Sequence, residues 1–161
     1  SYAAKVIGLV KEAKMSVIAN PCTNLMLQGR FDKQPIRRGL TRVKELNTVG
    51  VNVACGQDGI NDTFDPLSGK CDMLQIAWIM GHAAQLSTPS EVDLLFDMIT
   101  KNAAKALGIK RFGLGVGNEA NLNIIDAKDV YQAIRMQSDR LYVIRLGNVV
   151  AGTKMNSNNG F

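Results

Sequence analysis

Val51-Asn52-Val53-Ala54-Cys55-Gly56-Gln57-Asp58 is a short, alternating, partly β-branched run that ends on a carboxylate. Beyond it lie Gly59 and a polar loop with acids and one aromatic: Asn61, Asp62, Phe64, Asp65 and Pro66. Where strands alternate with helices, catalytic groups gather at the C-terminal strand tips, because the loops there open onto a shared mouth. A carboxylate at such a tip can bind a hard or borderline cation or accept a proton from bound water. The plainer reading takes Asp58-Gly59 as a hairpin turn of the Asp-Gly type, and on these eight residues alone it leads.

The flanking segments change that balance. Val6, Ile7, Leu9 and Val10 among Lys5, Lys11, Glu12 and Lys14 predict an amphipathic helix over residues 3–14. Ser16–Asn20 reads as a strand stopped by Pro21, residues 22–36 as a polar and basic loop, and Arg37–Thr48 as a second helix with Leu40, Val43 and Leu46 on one face. Gly50 ends that helix and Val51–Cys55 is the second strand. Helix, strand, helix, strand is the order of a parallel sheet with right-handed crossovers. A tight hairpin needs a second strand just past the turn, and residues 61–72 offer none.

Residues 72–86 form a helix that is apolar on most sides and predicts burial on two faces. The next helix is expected to start at Ser90, with Ser90 and Asp93 as a capping box after Pro89, and to carry the stripe Val92, Leu95, Phe96, Ile99, Ala103, Ala106 and Leu107 as far as Gly108. Later come strands at Asn121–Ile125, Leu141–Leu146 and Val149–Ala151, a short helix near Lys128–Met136, and a hairpin turn at Gly147-Asn148. Lys154–Phe161 is expected to fray.

The 161 residues, 46% hydrophobic and 20% charged, suit one soluble globular domain with a real core. No stretch is apolar enough to span a bilayer and no signal pattern opens the chain, so a cytoplasmic protein is expected. Cys22, Cys55 and Cys71 lack a CxxC pair and read as buried free thiols. The net charge of +5 is scattered and aromatics make up only 6%, which argues against nucleic-acid binding. Gly113, Gly115 and Gly117 follow a helix rather than a strand, so they read as a loop and not as a phosphate cradle. His82 reads as a hydrogen-bonded core histidine rather than a metal ligand. Arg30, Asp32, Arg37 and Arg38 could position a polar substrate, but local salt bridges pinning a long loop are the favoured reading.

Several motifs carry a resemblance. Asn20-Pro21, Leu27-Gln28-Gly29-Arg30-Phe31-Asp32 and Arg37-Arg38-Gly39-Leu40-Thr41-Arg42-Val43-Lys44-Glu45 resemble the region around the seventh barrel strand of bacterial cytosine deaminases. Val51-Asn52-Val53, Gly56-Gln57-Asp58, Asp62, Pro66-Leu67 and Met73-Leu74-Gln75 resemble the eighth strand with the loop and helix beyond it. Thr100–Gly108 with Gly117-Asn118-Glu119-Ala120-Asn121-Leu122 is similar to the closing signature of the wider amidohydrolase superfamily.

The resemblance implies an α/β chain: the C-terminal portion of a (β/α)8 TIM barrel, about strands 7–8 with their helices, plus a few strands of a small β-sandwich. Residues 1–112 would be the barrel portion, 113–153 the strands returning to the sandwich, and 154–161 the tail. It implies hydrolysis of a C–N bond in a cyclic amidine or amide, a cytosine-like pyrimidine being the leading case and a triazine another. One divalent ion, iron or zinc, would be held by Asp58 and by ligands outside this chain. By resemblance Asp58 is the metal ligand and the catalytic proton acceptor, and Phe64 covers the substrate ring. Gly59 replaces a base-binding aspartate and leaves room for a larger ring. The expected partners are a small ring substrate, the N-terminal portion of the same enzyme and further copies in a homo-oligomer. The competing reading is a non-catalytic interaction module, since two barrel strands would leave sheet edges open to association.

Overall fold

Ser1 Oγ accepts from the backbone N–H of Ala4 at 3.3 Å and opens helix α1 (Tyr2–Glu12), which buries Ile7. The computed structural model describes residues 1–67 and 69–153; the expected frayed tail, residues 154–161, lies outside them. After α1 come β1 (Ser16–Ala19), α2 (Pro21–Leu27), α3 (Val43–Thr48), β2 (Asn52–Cys55), α4 (Met73–Ala83), α5 (Pro89–Ile99) and α6 (Lys101–Ala106). β3 (Leu122–Ile125), α7 (Val130–Met136), β4 (Arg140–Arg145) and β5 (Asn148–Ala151) complete the order. The chain is α/β, with β1 and β2 paired in parallel and β3, β4 and β5 forming an antiparallel sheet. No helix among the described residues is long and apolar enough to cross a membrane.

One core joins the parallel strands to the helices. Val51, Val53 and Cys55 pack in it with Leu74, Ile76 and Met80 of α4, Leu95 and Met98 of α5, and Ala133 and Ile134 of α7. Ile76, Met80 and Met98 are fully buried, each contributing about 1.5–3 kcal/mol of transfer free energy. As its composition predicts, α4 is covered on more than one side, although Trp78 reaches the surface.

The structure corrects several local expectations. Pro21 does not open a loop but starts α2 from its first position, where a missing N–H costs nothing. The helix expected from Arg37 begins only at Val43, and residues 37–42 are irregular. Among the cysteines only Cys55 is buried; Cys22 is half-buried and Cys71 exposed, all three as free thiols. His82 is exposed rather than in the core, its ring tilted 50° against Trp78 at 4.3 Å between centroids, with Nδ1 2.8 Å from Trp78 O.

The long helix to Gly108 breaks at Thr100 (φ −129°, ψ −94°), whose Oγ1 donates to Phe96 O at 2.6 Å. Beyond the break the buried face shifts to Ala104, leaving Leu107 68% exposed. The redirected α6 brings Asn102 to β2, where its Nδ2 donates to Val53 O at 2.9 Å. The hairpin turn centres on Leu146 and Gly147, both at positive φ as a type I′ turn requires, rather than on Gly147-Asn148.

The cap of α5 is Thr88, with Pro89 at the first turn, so the box is Thr88–Glu91 and not Ser90–Asp93. Thr88 Oγ1 accepts from Glu91 N–H at 3.4 Å, while Glu91 Oε2 accepts from the backbone N–H groups of Thr88 at 2.9 Å and Ser87 at 2.8 Å. The Thr88 and Ser87 N–H groups, then Lys44 at 3.1 Å, pull the Glu91 carboxyl from 4.5 to about 2. A depressed carboxyl stabilises the fold above its unfolded value, so its contribution is complete above about pH 4.5 and fades as pH falls toward 2. Carboxyl NMR should therefore find Glu91 still ionised near pH 3; titration near 4.5 would mean that the box is open. Thr88→Ala is expected to cost about 1 kcal/mol in a urea melt.

Candidate functional site

β1 and β2 run in register from Ser16 opposite Asn52 to Ala19 opposite Cys55, and Gly56 N–H extends the ladder to Ala19 O at 3.0 Å. The two strands therefore end side by side. Asn20 leans over Gly56 so closely that a Cβ on that glycine would lie 2.5 Å from Asn20 Oδ1.

Asp58 follows two residues later, exposed and at φ 69°, a left-handed conformation that Asp adopts more readily than most residues. Among the described residues the strand before it pairs only in parallel, so Asp58-Gly59 is not a hairpin turn. Among those residues, too, Asp58 enters no ion pair and no side-chain hydrogen bond.

Asp62 organises the following loop: its Oδ1 accepts from the backbone N–H groups of Phe64 and Asp65, both at 2.8 Å. Gly59 sits against that carboxylate, and a Cβ there would fall 1.9 Å from Asp62 Oδ2. Phe64 is 63% exposed. Asp58, Gly59 and Phe64 thus share one loop beyond β2, yet none of them lines the large cleft beside it. Among the described residues no group of three His, Cys, Asp or Glu side chains converges as a metal site.

That cleft, about 610 Å³, lies between α2, α4 and the tip of β2 and is lined by Cys22, Met26, Arg30, Gln57, Asp65 and Ile79 among others. Gln57 continues the core-facing alternation Val51, Val53, Cys55 and is only 8% exposed; Asp65 is 3% exposed. Both residues stand in the strand run and loop quoted from the sequence, but neither is among the expected site residues. The available signal was Gln57 itself, a polar residue at the end of an otherwise apolar face.

Burial, then the Asp65 carboxylate, pushes the Cys22 thiol up, and burial with Cys22 nearby pushes Cys55 up to about 12. Burial thus favours the protonated thiol at both positions. The basic loop is pinned as expected: Arg37 Nε and Nη2 donate to the two Asp32 oxygens at 2.6 Å each. Gly29, at φ 71° and with Arg37 O where a Cβ would stand, allows that closure. Arg30 and Arg38 take no part in the pair and stand at the cleft.

The family model described as "Amidohydrolase family" matches residues 1–154. The chain is 36% identical over 109 residues to N-isopropylammelide isopropyl amidohydrolase of Pseudomonas sp. (strain ADP), covering 67% of this chain and 27% of that protein. It is 32% identical over 153 residues to pterin deaminase of Rhizobium rhizogenes, covering 93% and 34%. The crystal structure of 5-methylcytosine deaminase from Klebsiella pneumoniae with 5-fluorocytosine superposes with a TM-score of 0.90 at 38% identity, over 95% of this chain and 37% of that one. The chain spans about a third of the length of these relatives.

Proposed function

The chain belongs to the amidohydrolase family, with deaminases of ring compounds among its relatives, and we propose that it is the C-terminal part of a metal-dependent deaminase. Residues 1–112 would complete a (β/α)8 barrel as strands 7–8, and residues 113–153 would rejoin a small β-sandwich. The observation that carries this reading is the position of Asp58 just past the C-terminal end of a parallel strand, level with the end of its neighbour. Uncovered apolar surface supports it too: Ile18 of β1, Ile124 of β3, Tyr142 of β4 and Val149 and Val150 of β5 are all exposed.

Members of this family typically use a divalent metal, which lowers the pKa of a coordinated water toward neutrality. Asp58 would give that ion, iron or zinc, one ligand and accept a proton during hydrolysis of an aminated ring. The remaining ligands would come from outside this chain, as would the rest of the pocket that Phe64 covers. Copies of the whole protein would assemble as a homo-oligomer in the cytoplasm.

The test is metal analysis of the natural polypeptide together with ammonia release from cytosine, isoguanine, creatinine and aminotriazines. Bound metal and release from at least one ring are expected. Absence of both would leave the non-catalytic interaction module as the standing reading.

Gly59 sets a further expectation. Gly59→Asp should move the substrate ranking toward cytosine, because a carboxylate there can accept a hydrogen bond from the base. Any Cβ at this position must displace the Asp62 carboxylate, so Gly59→Ala is the control that carries the clash without the acceptor. Identical substrate rankings in the two variants would refute this role for position 59.

A further inference from the structure

The pair of strands β1 and β2 has two faces, and only one of them packs on the helices. Val17, Ala19, Val53 and Cys55 join the core, whereas Ile18, between the first two, is exposed. A Cβ on Gly56 would stand 3.1 Å from Ile18 Cγ2 and 2.5 Å from Asn20 Oδ1, so Gly56, Ile18 and Asn20 share the face that the helices leave open. The ladder that pairs Ala19 with Cys55 puts Asn20 level with Gly56, and Asp58 follows two residues later. The fold makes no use of this amide. Asn20 precedes α2, yet its side chain does not cap that helix and makes no hydrogen bond among the described residues, although it is half-buried.

Oδ1 is the atom nearest to that Cβ position and Cγ lies 3.6 Å from it, so Nδ2 is turned away from Gly56. An ionised carboxylate such as Asp58 only accepts hydrogen bonds, and the Asn20 amide adds a donor at the neighbouring strand tip. We propose that Asn20 is a substrate-binding residue, its Nδ2 donating to a carbonyl oxygen or ring nitrogen of the substrate. The inference rests on the reading of these strand tips as part of an active-site mouth. A ligand acceptor here displaces no protein partner, so the bond adds to affinity without weakening the fold. Gly56 belongs to the same device, because its missing Cβ is what leaves the amide its place.

Steady-state ammonia release by the intact polypeptide tests this, using whichever of cytosine, isoguanine, creatinine or an aminotriazine the wild type deaminates fastest. Each of these rings carries such an acceptor. Asn20→Ala should raise KM about tenfold with little change in kcat, the signature of a lost binding contact. Its metal content and Tm should match the wild type, because no hydrogen bond within the protein is broken. Asn20→Asp keeps the shape but sets an acceptor against an acceptor, and should raise KM at least as far. Gly56→Ala displaces the amide without removing it and should also raise KM, and the double variant with Asn20→Ala should be no worse than the poorer single one. An active, metal-loaded wild type whose KM is unmoved by Asn20→Ala overturns this inference alone. A Tm lowered by several degrees in Asn20→Ala with KM unchanged overturns it too, and makes the residue structural. A wild type with neither metal nor turnover removes the enzyme reading, and this inference with it.

Discussion

Asp58→Ala in the intact enzyme is expected to reduce ammonia release by ~10³-fold or more and to strip metal from the protein, while the fold persists. The reason is the separation of this carboxylate from everything structural. It is exposed, outside every ion pair of the described residues, and packs into no part of the core. The only folding cost lies in the backbone: Asp58 sits at φ 69°, where alanine is less at ease than aspartate. Asp58→Asn removes that ambiguity, since asparagine tolerates the left-handed region and keeps the shape. The Asn variant should melt with the wild type, and the Ala variant no more than about 1–2 kcal/mol below it. Turnover at the wild-type rate in either would sink the catalytic assignment. A loss of folding in the Asn variant would show that the carboxylate holds the loop rather than a metal.

The largest stability effect is expected at Asp72. Its Oδ1 accepts from Leu74 N–H at 3.0 Å and caps α4, and both its oxygens accept from the Arg140 guanidinium, Nη1 to Oδ2 at 3.0 Å and Nη2 to Oδ1. One side chain thereby joins the start of α4 to β4, across 68 residues of sequence. The pair is largely shielded, the side chains being 11% and 25% exposed. Asp72→Ala loses the cap and leaves the Arg140 charge without its partner, which together should cost about 3 kcal/mol in chemical denaturation. Arg140→Lys should recover little, because an ammonium cannot reproduce the two-pronged contact.

Burial alone would raise the Asp72 carboxyl, but the hydrogen bonds and charge of Arg140, with the backbone N–H groups of Leu74 and Gln75, lower it on balance. The stability it confers is present above the ordinary carboxyl value and lost as pH falls below about 4. A wild-type melt with no more acid sensitivity than Asp72→Ala would contradict this account.

Much of the element order was legible because each segment carries its own period. The alternation in residues 51–58, the 3.6-residue stripe of α5 and the β-branched runs of β4 and β5 are local patterns, and the structure places elements on them within a few residues. Asp58 at a strand tip was legible for the same reason. The misreadings share a cause as well. Pro21 opens a helix because the preceding strand ends in time for it, and Thr100 breaks one because its hydroxyl captures Phe96 O. His82 is exposed because α4 turns Leu74, Ile76, Ala77 and Met80, not that edge, toward the core.

Periodicity and short motifs were enough for the α/β class, the family and the parallel order of the two strands, beyond the second of which Asp58 stands. Where the faces point came from packing. The same strand tip directs Gln57 into a helix-lined cleft and leaves Asp58 outside it, and only the packing of α2 and α4 against β2 makes that cleft. Alternation assigns residues to two sides of a strand, but which side is covered depends on segments far away in the chain. Burial belongs to the assembled layers, whereas the pleat belongs to the local backbone.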